Sequence, residues 1–156
     1  MKALEGQRQE AQMSDASSAI MNSVVEFFKN CPILNEDGTF SVDTLPERVF
    51  AYAFSYVPST RVRKRYLDRS TVRQFNFTLS SNEIFDQETA INLQNAAFYD
   101  QLSDWIEDQD AAHNLPVLPE GMTAQHLYVT LPGHLESTNG KTARYSIQLQ
   151  LVYYRR

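Results

Sequence analysis

The stretch Thr142–Tyr154, TARYSIQLQLVYY, decides the fold, because polar and apolar residues alternate along its length. Successive side chains of a β-strand point to opposite faces of the sheet, so an alternation with a period of two predicts a strand that buries one face. The face predicted to be buried carries Ala143, Tyr145, Ile147, Leu149, Leu151 and Tyr153. This is the strongest pattern in the chain.

The same alternation occurs earlier, at Val72–Leu79, where Phe75, Phe77 and Leu79 are predicted to face the core. Three further strands are predicted from their bulky, β-branched or aromatic residues: Val49–Tyr56, Val62–Leu67 and Gln125–Leu131.

Turns and loops are predicted where Pro, Gly, Ser and Asp cluster. Pro58–Thr60 and Asp68–Ser70 are predicted to reverse the chain, which favours an antiparallel meander of the strands on either side. Asn114–Gly121 is predicted to be a loop, and Pro116–Gly121 and Pro132–Gly140 are predicted to be exposed loops that could contact neighbouring rings.

Two amphipathic helices are predicted. The first is expected to end near Asn30, because Pro32 disfavours a helical conformation at the preceding residue. The second is predicted from Asp86, a good N-cap followed by Glu88, to about Asp110. Their apolar positions recur at helical spacing: Met13, Ile20, Met21, Val24, Phe27 and Phe28 in the first, and Ile91, Ala97 or Phe98, Leu102, Trp105 and Ile106 in the second. The chain is therefore predicted to be α+β, a mainly antiparallel sheet with two principal helices packed on it.

Length and composition predict one soluble domain. The 156 residues suit a single core, which we place at 19–156, and residues 1–18 are interpreted as a polar extension or the start of the first helix. The net charge of −5 argues against coating of nucleic acid by the whole domain, so any contact with DNA must be local. The polar N-terminus predicts no secretory signal, and no apolar stretch is long enough to span a membrane.

No pattern predicts catalysis, a cofactor or a metal. The five glycines form no phosphate-binding loop, and the three histidines, His113, His126 and His134, lie at no recognised ligand spacing. Cys31, the single cysteine, is interpreted as a buried apolar thiol in preference to a nucleophile. We therefore expect no enzyme activity.

Charge is distributed unevenly along the chain. Six of the 14 basic residues lie in one segment: Arg61, Arg63, Lys64, Arg65, Arg69 and Arg73. The second predicted helix carries an acidic face with Asp100, Asp104, Glu107, Asp108 and Asp110. Three readings remain open for the basic segment: ordinary solvated charge, pairing with the acidic helix of a neighbouring copy, and lining a passage for DNA. Complementary surfaces on one chain favour head-to-tail association, which closes into a ring if the rotation allows.

An ordered set of short matches resembles one protein family, the small tail terminator proteins, or minor capsid proteins, of long-tailed bacteriophages. Many members of that family carry Gly where this chain has Arg69. The matching residues span roughly Ser23–Tyr154: Phe27-Phe28, Cys31-Pro32-Ile33-Leu34, Val57-Pro58, Lys64-Arg65-Tyr66-Leu67-Asp68, Ser70, Arg73-Gln74-Phe75, Asn95, Phe98-Tyr99, Trp105-Ile106-Glu107, Asn114-Leu115-Pro116, Thr142-Ala143-Arg144-Tyr145 and Leu151-Val152-Tyr153.

The resemblance implies a structural virion protein that is assembled in the host cytoplasm and located at the head-proximal end of the tail. It implies a hexameric ring that ends polymerisation of the tail tube and offers a docking surface to the head. The implied partners are other copies of the chain, the tail tube protein and a head completion or connector protein. DNA would pass through the lumen without specific binding. Two alternatives stay open: another head-to-tail connector or tail completion protein, and a small nucleic-acid-binding module.

Overall fold

The computed structural model describes residues 15–34, 37–46, 51–84 and 89–156. The described residues contain two helices, α1 (Asp15–Lys29) and α2 (Thr89–Ala111). The strands are β1 (Thr39–Val42), β2 (Ala51–Val57), β3 (Val62–Arg65), β4 (Thr71–Ile84), β5 (Met122–Thr138) and β6 (Thr142–Arg155). The predicted α+β class, with helices packed on a mostly antiparallel sheet, is confirmed. The predictions made for Met13, Val49, Asp86, Glu88 and the side chain of Ile91 lie outside the described residues.

All six strands belong to one sheet, in the order β1-β2-β4-β6-β5. The only parallel pair in the described sheet is β1 with β2. β4 and β6 form the centre and pair along their whole length, from Thr71 opposite Arg155 to Ile84 opposite Thr142. The alternation at Thr142–Tyr154 thus predicted the long strand β6, with all six of its predicted core side chains buried.

Both helices cover the same face of the sheet. Phe28 of α1 packs against Phe54 of β2 and Phe77 of β4, with ring centroids 5.6 Å and 6.3 Å away. Leu102 and Ile106 of α2 are fully buried in the same core. The two helices meet at Trp105, whose ring lies 5.4 Å from the ring of Phe27 and 5.9 Å from that of Phe28.

The other face of the sheet is polar in its central strands. Gln150 on β6 donates a hydrogen bond to Gln74 on β4 (3.2 Å), and the hydroxyls of Ser80 and Ser146 are 2.8 Å apart. An antiparallel sheet that is covered on one side is expected to carry polar residues on the other.

One predicted turn is wrong. Pro58–Thr60 does not reverse the chain, because β2 and β3 both pair with β4 and do not pair with each other. The backbone N–H of Gln74 donates to Arg61 O (2.8 Å) and its side chain donates to Thr60 O (2.7 Å). Pro58–Thr60 therefore connects β2 and β3, which pair one after the other with the same strand, β4.

One predicted loop is also wrong. Most of Pro132–Gly140 belongs to β5, which pairs with β6 as far as Thr138. β5 is an edge strand, where a proline is tolerated because its missing N–H does not have to serve a second neighbour. The register shifts between Leu131 and His134, which indicates a bulge at Pro132 and Gly133.

Candidate assembly surfaces

The basic residues lie on a tight hairpin formed by β3, the following turn and the start of β4, here called the basic hairpin (residues 61–73). The turn is closed by hydrogen bonds from Tyr66 N to Ser70 O (2.9 Å) and from Arg69 N to Tyr66 O (3.0 Å). Asp68 Oδ1 accepts hydrogen bonds from both the backbone N–H and the hydroxyl of Ser70, and these bonds lower the pKa of the Asp68 carboxyl. The predicted turn at Asp68–Ser70 is confirmed.

Arg69 occupies a position in this turn that favours glycine. Its φ of 73° lies in the left-handed region, which residues with a Cβ adopt at a cost. Arg69 adopts this backbone conformation in spite of its cost and adds a cation at the tip of the hairpin.

Five of the six basic side chains are exposed: Arg61, Arg63, Lys64, Arg65 and Arg69. Arg73 is half-buried, and its Nε donates to Thr71 Oγ1 (3.0 Å). In the part of the chain that the structure describes, none of the six forms a salt bridge. Five exposed cations within residues 61–69, with no described carboxylate paired to them, form a surface suited to an anionic partner.

Tyr153 lies beside the base of the hairpin. Burial raises the pKa of its phenol, while the charges of Arg73, Arg155 and Arg61 act in the opposite direction. The positive field of the hairpin therefore extends to the end of β6.

The acidic residues of α2 form a second exposed surface, here called the acidic helix face: Asp100, Asp104, Glu107 and Asp108. They lie opposite Leu102 and Ile106, which face the core. Asp110 does not belong to this surface. Its Oδ1 accepts hydrogen bonds from the backbone N–H of Leu127 (3.0 Å) and from His126 Nδ1 (3.2 Å), and so it fastens the end of α2 to β5.

The two charged surfaces lie at opposite edges of the sheet. β3 lies beside β4 on the side of β2, whereas β5 is the last strand on the other side. α2 packs along β5, from Tyr99 over Gly133 to Asp110 at Leu127. The structure therefore does not bring the basic and acidic residues together within one copy, and contact between them requires two copies.

A groove runs between α1 and the segment that follows α2. It has a volume of about 430 Å³ and is lined by Asn22, Ser23, Glu26, Phe27, Asn30, Asn114, Leu115 and Val117. No histidine or cysteine lines it. Its side chains are amides, a hydroxyl, one carboxylate and apolar groups, so it is suited to binding and carries no nucleophile paired with a base.

Cys31 and the three histidines, which were weighed above as a nucleophile and as metal ligands, occupy ordinary structural positions. Cys31 is buried, and burial raises the pKa of its thiol, which disfavours the reactive thiolate. His113, His126 and His134 are exposed. Phe75, Phe77 and Leu79 are buried in the core, as predicted.

The described residues include no candidate metal site and no helix that could span a membrane. They contain no group of three or more His, Cys, Asp or Glu side chains arranged to hold a metal ion. Neither described helix is both long and apolar enough to cross a membrane.

The comparisons with known proteins found no relative: the sequence matches no model of a protein family and no curated protein. The surfaces must therefore be interpreted from their own geometry. Sequence analysis missed two parts of them, the apolar tip of the basic hairpin at Leu67 and the groove beside Phe27. The signal for the tip was present, because Leu67 is a bulky apolar residue placed directly before a turn in a run of charges.

Proposed function

We propose that this chain is a structural subunit of a long-tailed bacteriophage particle, a tail terminator that assembles into a ring of about six copies at the end of the tail tube. In this role the ring stops tube polymerisation and presents a docking surface to the head. Two lines of support are available: the ordered resemblance from Ser23 to Tyr154, and the arrangement of charge in the fold.

The observation that carries the proposal is the position of the two charged surfaces. One copy presents five exposed cations at one edge of its sheet and four exposed carboxylates on the helix at the other edge. A contact between two different patches is heterologous, and heterologous contacts form either a closed ring or an open filament. A cap must form a closed ring. The angle between the two charged edges of the sheet determines whether successive copies close into a ring or continue as a filament.

A cap must also bind the tube on one side without repeating that contact on the other. The ends of the sheet offer different surfaces for this purpose. One end carries the exposed loop at Glu120 and the C-terminal residues Arg155 and Arg156, where Arg156 N donates to Gly121 O (3.1 Å). The other end carries the β5–β6 turn, in which Asn139 Oδ1 accepts hydrogen bonds from the backbone N–H groups of Lys141 and Thr142.

The experiment that tests the proposed cap is polymerisation of the tail tube subunit in its presence. The tube subunit from the same phage is mixed with increasing amounts of this chain, and tube lengths are measured by electron microscopy. A cap shortens the tubes in proportion to the amount added and appears as extra density at one end only. Unchanged tube lengths, with no density at either end, contradict the proposal.

Another head-to-tail connector or completion protein remains the nearest alternative, since it has a similar size and also assembles into rings. It would bind the head connector and leave tube length unchanged.

A nucleic-acid-binding module is the alternative of a different class. It is favoured by the cations of the basic hairpin, which form no salt bridge with a described residue, and by Tyr66, whose side chain is 43% exposed and whose ring centroid lies 5.0 Å from Lys64 Nζ. This alternative predicts that a monomer binds DNA with an affinity that falls steeply as salt is raised.

A further inference from the structure

Leu67 at the tip of the basic hairpin has no structural role within its own copy. Its side chain is as exposed as in an extended peptide, and it lies between Tyr66, also exposed, and the turn residue Asp68. Single exposed apolar residues are common on proteins. This one differs because it projects from a hydrogen-bonded turn and has Arg65 and Arg69 two residues away on either side.

The groove between α1 and the segment after α2 has the complementary shape and chemistry. Its apolar part is formed by Phe27, Leu115 and Val117, and Val117 is 88% exposed although it lines the groove. A volume of about 430 Å³ is within the range that accommodates a bound side chain or small ligand. Phe27 is held in place by Trp105 of α2 at 5.4 Å.

The helix beside the groove carries acidic side chains. Glu26, which lines the groove, already forms an ion pair with Lys29 (2.9 Å), whereas Asp108 follows Trp105 by about one helical turn on the same side of α2 and forms no salt bridge with a described residue. Asp104 is exposed on the adjacent part of that helix. The groove therefore combines an apolar floor with exposed carboxylates on the helix beside it, whereas the tip of the basic hairpin has Leu67 between Arg65 and Arg69 in the chain.

These two features belong to different regions of the fold. The hairpin lies at the edge of the sheet beyond β4, and the groove lies in the helix layer where α1 meets the end of α2. A contact between them joins two copies head to tail.

We propose that the groove of one copy receives the tip of the basic hairpin of the next copy, with Leu67 placed against Phe27, Leu115 and Val117. Arg65 and Arg69, on either side of Leu67 in the chain, then face Asp104 and Asp108 across the contact. The inference rests on the proposed ring and names the contact that closes it.

Chemical cross-linking between introduced cysteines tests this contact. The double variant Leu67→Cys/Val117→Cys is assembled under conditions in which the unmodified chain assembles, and it is then treated with a short bis-maleimide. The contact predicts a ladder of covalent oligomers on a denaturing gel that ends at the size of the ring. Each single variant and the unmodified chain give no ladder, because Cys31 is buried. The matched control Leu67→Cys/Leu93→Cys also gives none, since Leu93 is exposed on α2 but lies about 18 Å along the helix from Trp105.

A second variant keeps the test independent of cross-linking chemistry. Leu67→Ser should fold normally, because the side chain is fully exposed, and should raise the concentration needed for half-maximal assembly by roughly tenfold or more through the loss of buried apolar area. Leu93→Ser, which removes an exposed leucine elsewhere, should leave that concentration unchanged.

The contrary outcomes separate this inference from the proposed function. Rings that form without a ladder, and that tolerate Leu67→Ser, overturn the hairpin contact and leave the ring intact. Cross-links from Val117→Cys to the tube subunit instead of to Leu67→Cys overturn it as well, because the groove then receives another protein. A chain that assembles neither alone nor on the tube overturns both.

Discussion

Gly133 lies where α2 comes closest to β5. A Cβ at this position would overlap the ring of Tyr99. That ring has no free space into which to move, since it is buried, stacks on Tyr145 with centroids 5.6 Å apart, and places its hydroxyl 2.5 Å from Ser81 Oγ. The close approach explains why β5 can carry a bulge at this point and still be covered by the helix.

Gly133→Ala is therefore expected to lower the free energy of unfolding by about 1–3 kcal/mol through overpacking. Urea denaturation measures the change. In a Tyr99→Gly background the same substitution should cost much less, because the three atoms of Tyr99 that the added methyl group meets, Cβ, Cγ and Cδ1, are gone. An equal cost in both backgrounds would show that the close contact is not the cause.

Glu83 gives the fold a pH dependence at the same end of the sheet. Burial raises the pKa of its carboxyl, and a hydrogen bond with Ser81 opposes that shift only in part. The folded state therefore binds a proton more tightly than the unfolded state, in which the pKa is about 4.3. The contribution of Glu83 to stability is greatest below that value and declines as pH rises through the raised folded pKa.

Glu83→Gln removes this titration and preserves a polar side chain of similar size. We expect the variant to gain stability relative to the natural chain as pH rises from about 4 towards neutrality. Urea denaturation over this pH range measures the difference. Glu120→Gln, at an exposed carboxylate, is the matched control and should show no such trend. A constant difference between Glu83→Gln and the natural chain at all pH values would contradict the assignment.

At the scale of elements, the basic hairpin and the acidic helix face are separate structures that one assembly contact would use together. Charge reversal at either surface replaces attraction between copies with repulsion and should not unfold the chain, because Arg65 and Asp104 are both exposed. Each exposed pair contributes only about 0.2–1 kcal/mol, but the contact recurs at every interface of a ring.

Arg65→Asp and Asp104→Arg are each expected to prevent or weaken assembly, and the chain carrying both changes should recover it if these residues meet. Analytical ultracentrifugation measures the assembled fraction. Lys141→Asp changes the net charge by the same amount as Arg65→Asp at an exposed turn and should assemble normally. Failure of the doubly reversed chain, together with failure of both single variants, would count against this pairing.

The elements also show how far the sequence predicts the fold. β6, the hairpin turn and the C-terminal ends of the two helices were predictable. Their signals are local: alternation along β6, turn residues in the hairpin, and Pro32 after α1. The path of Pro58–Thr60 was not predictable. Such a segment can reverse the chain or connect two strands that run in the same direction, and pairing with β4, which is distant in the sequence, determines which of these occurs. β5 was predicted too short for the same reason: Pro132 ends a strand in the interior of a sheet but not at an edge.

At the scale of the whole molecule, the uneven charge of the sequence predicted two complementary surfaces but not their placement. The positions of Arg65 and Asp104 at opposite edges depend on the strand order, which no local pattern contains. The apolar parts of the candidate contact were missed because Leu67 and Val117 are single residues in segments without periodicity. Their significance appears only when the hairpin and groove are considered together.

The central claim is that the chain functions as a closed ring, and its mass in solution tests this most directly. Light scattering is measured on the purified chain alone and after mixing with its tube subunit. A hexameric ring predicts a species of about 107 kDa, six copies of 17.9 kDa, either in the isolated protein or as caps on short tubes. A particle that stays at 17.9 kDa in both samples, and that binds DNA at low salt, would contradict the ring and favour the nucleic-acid-binding module.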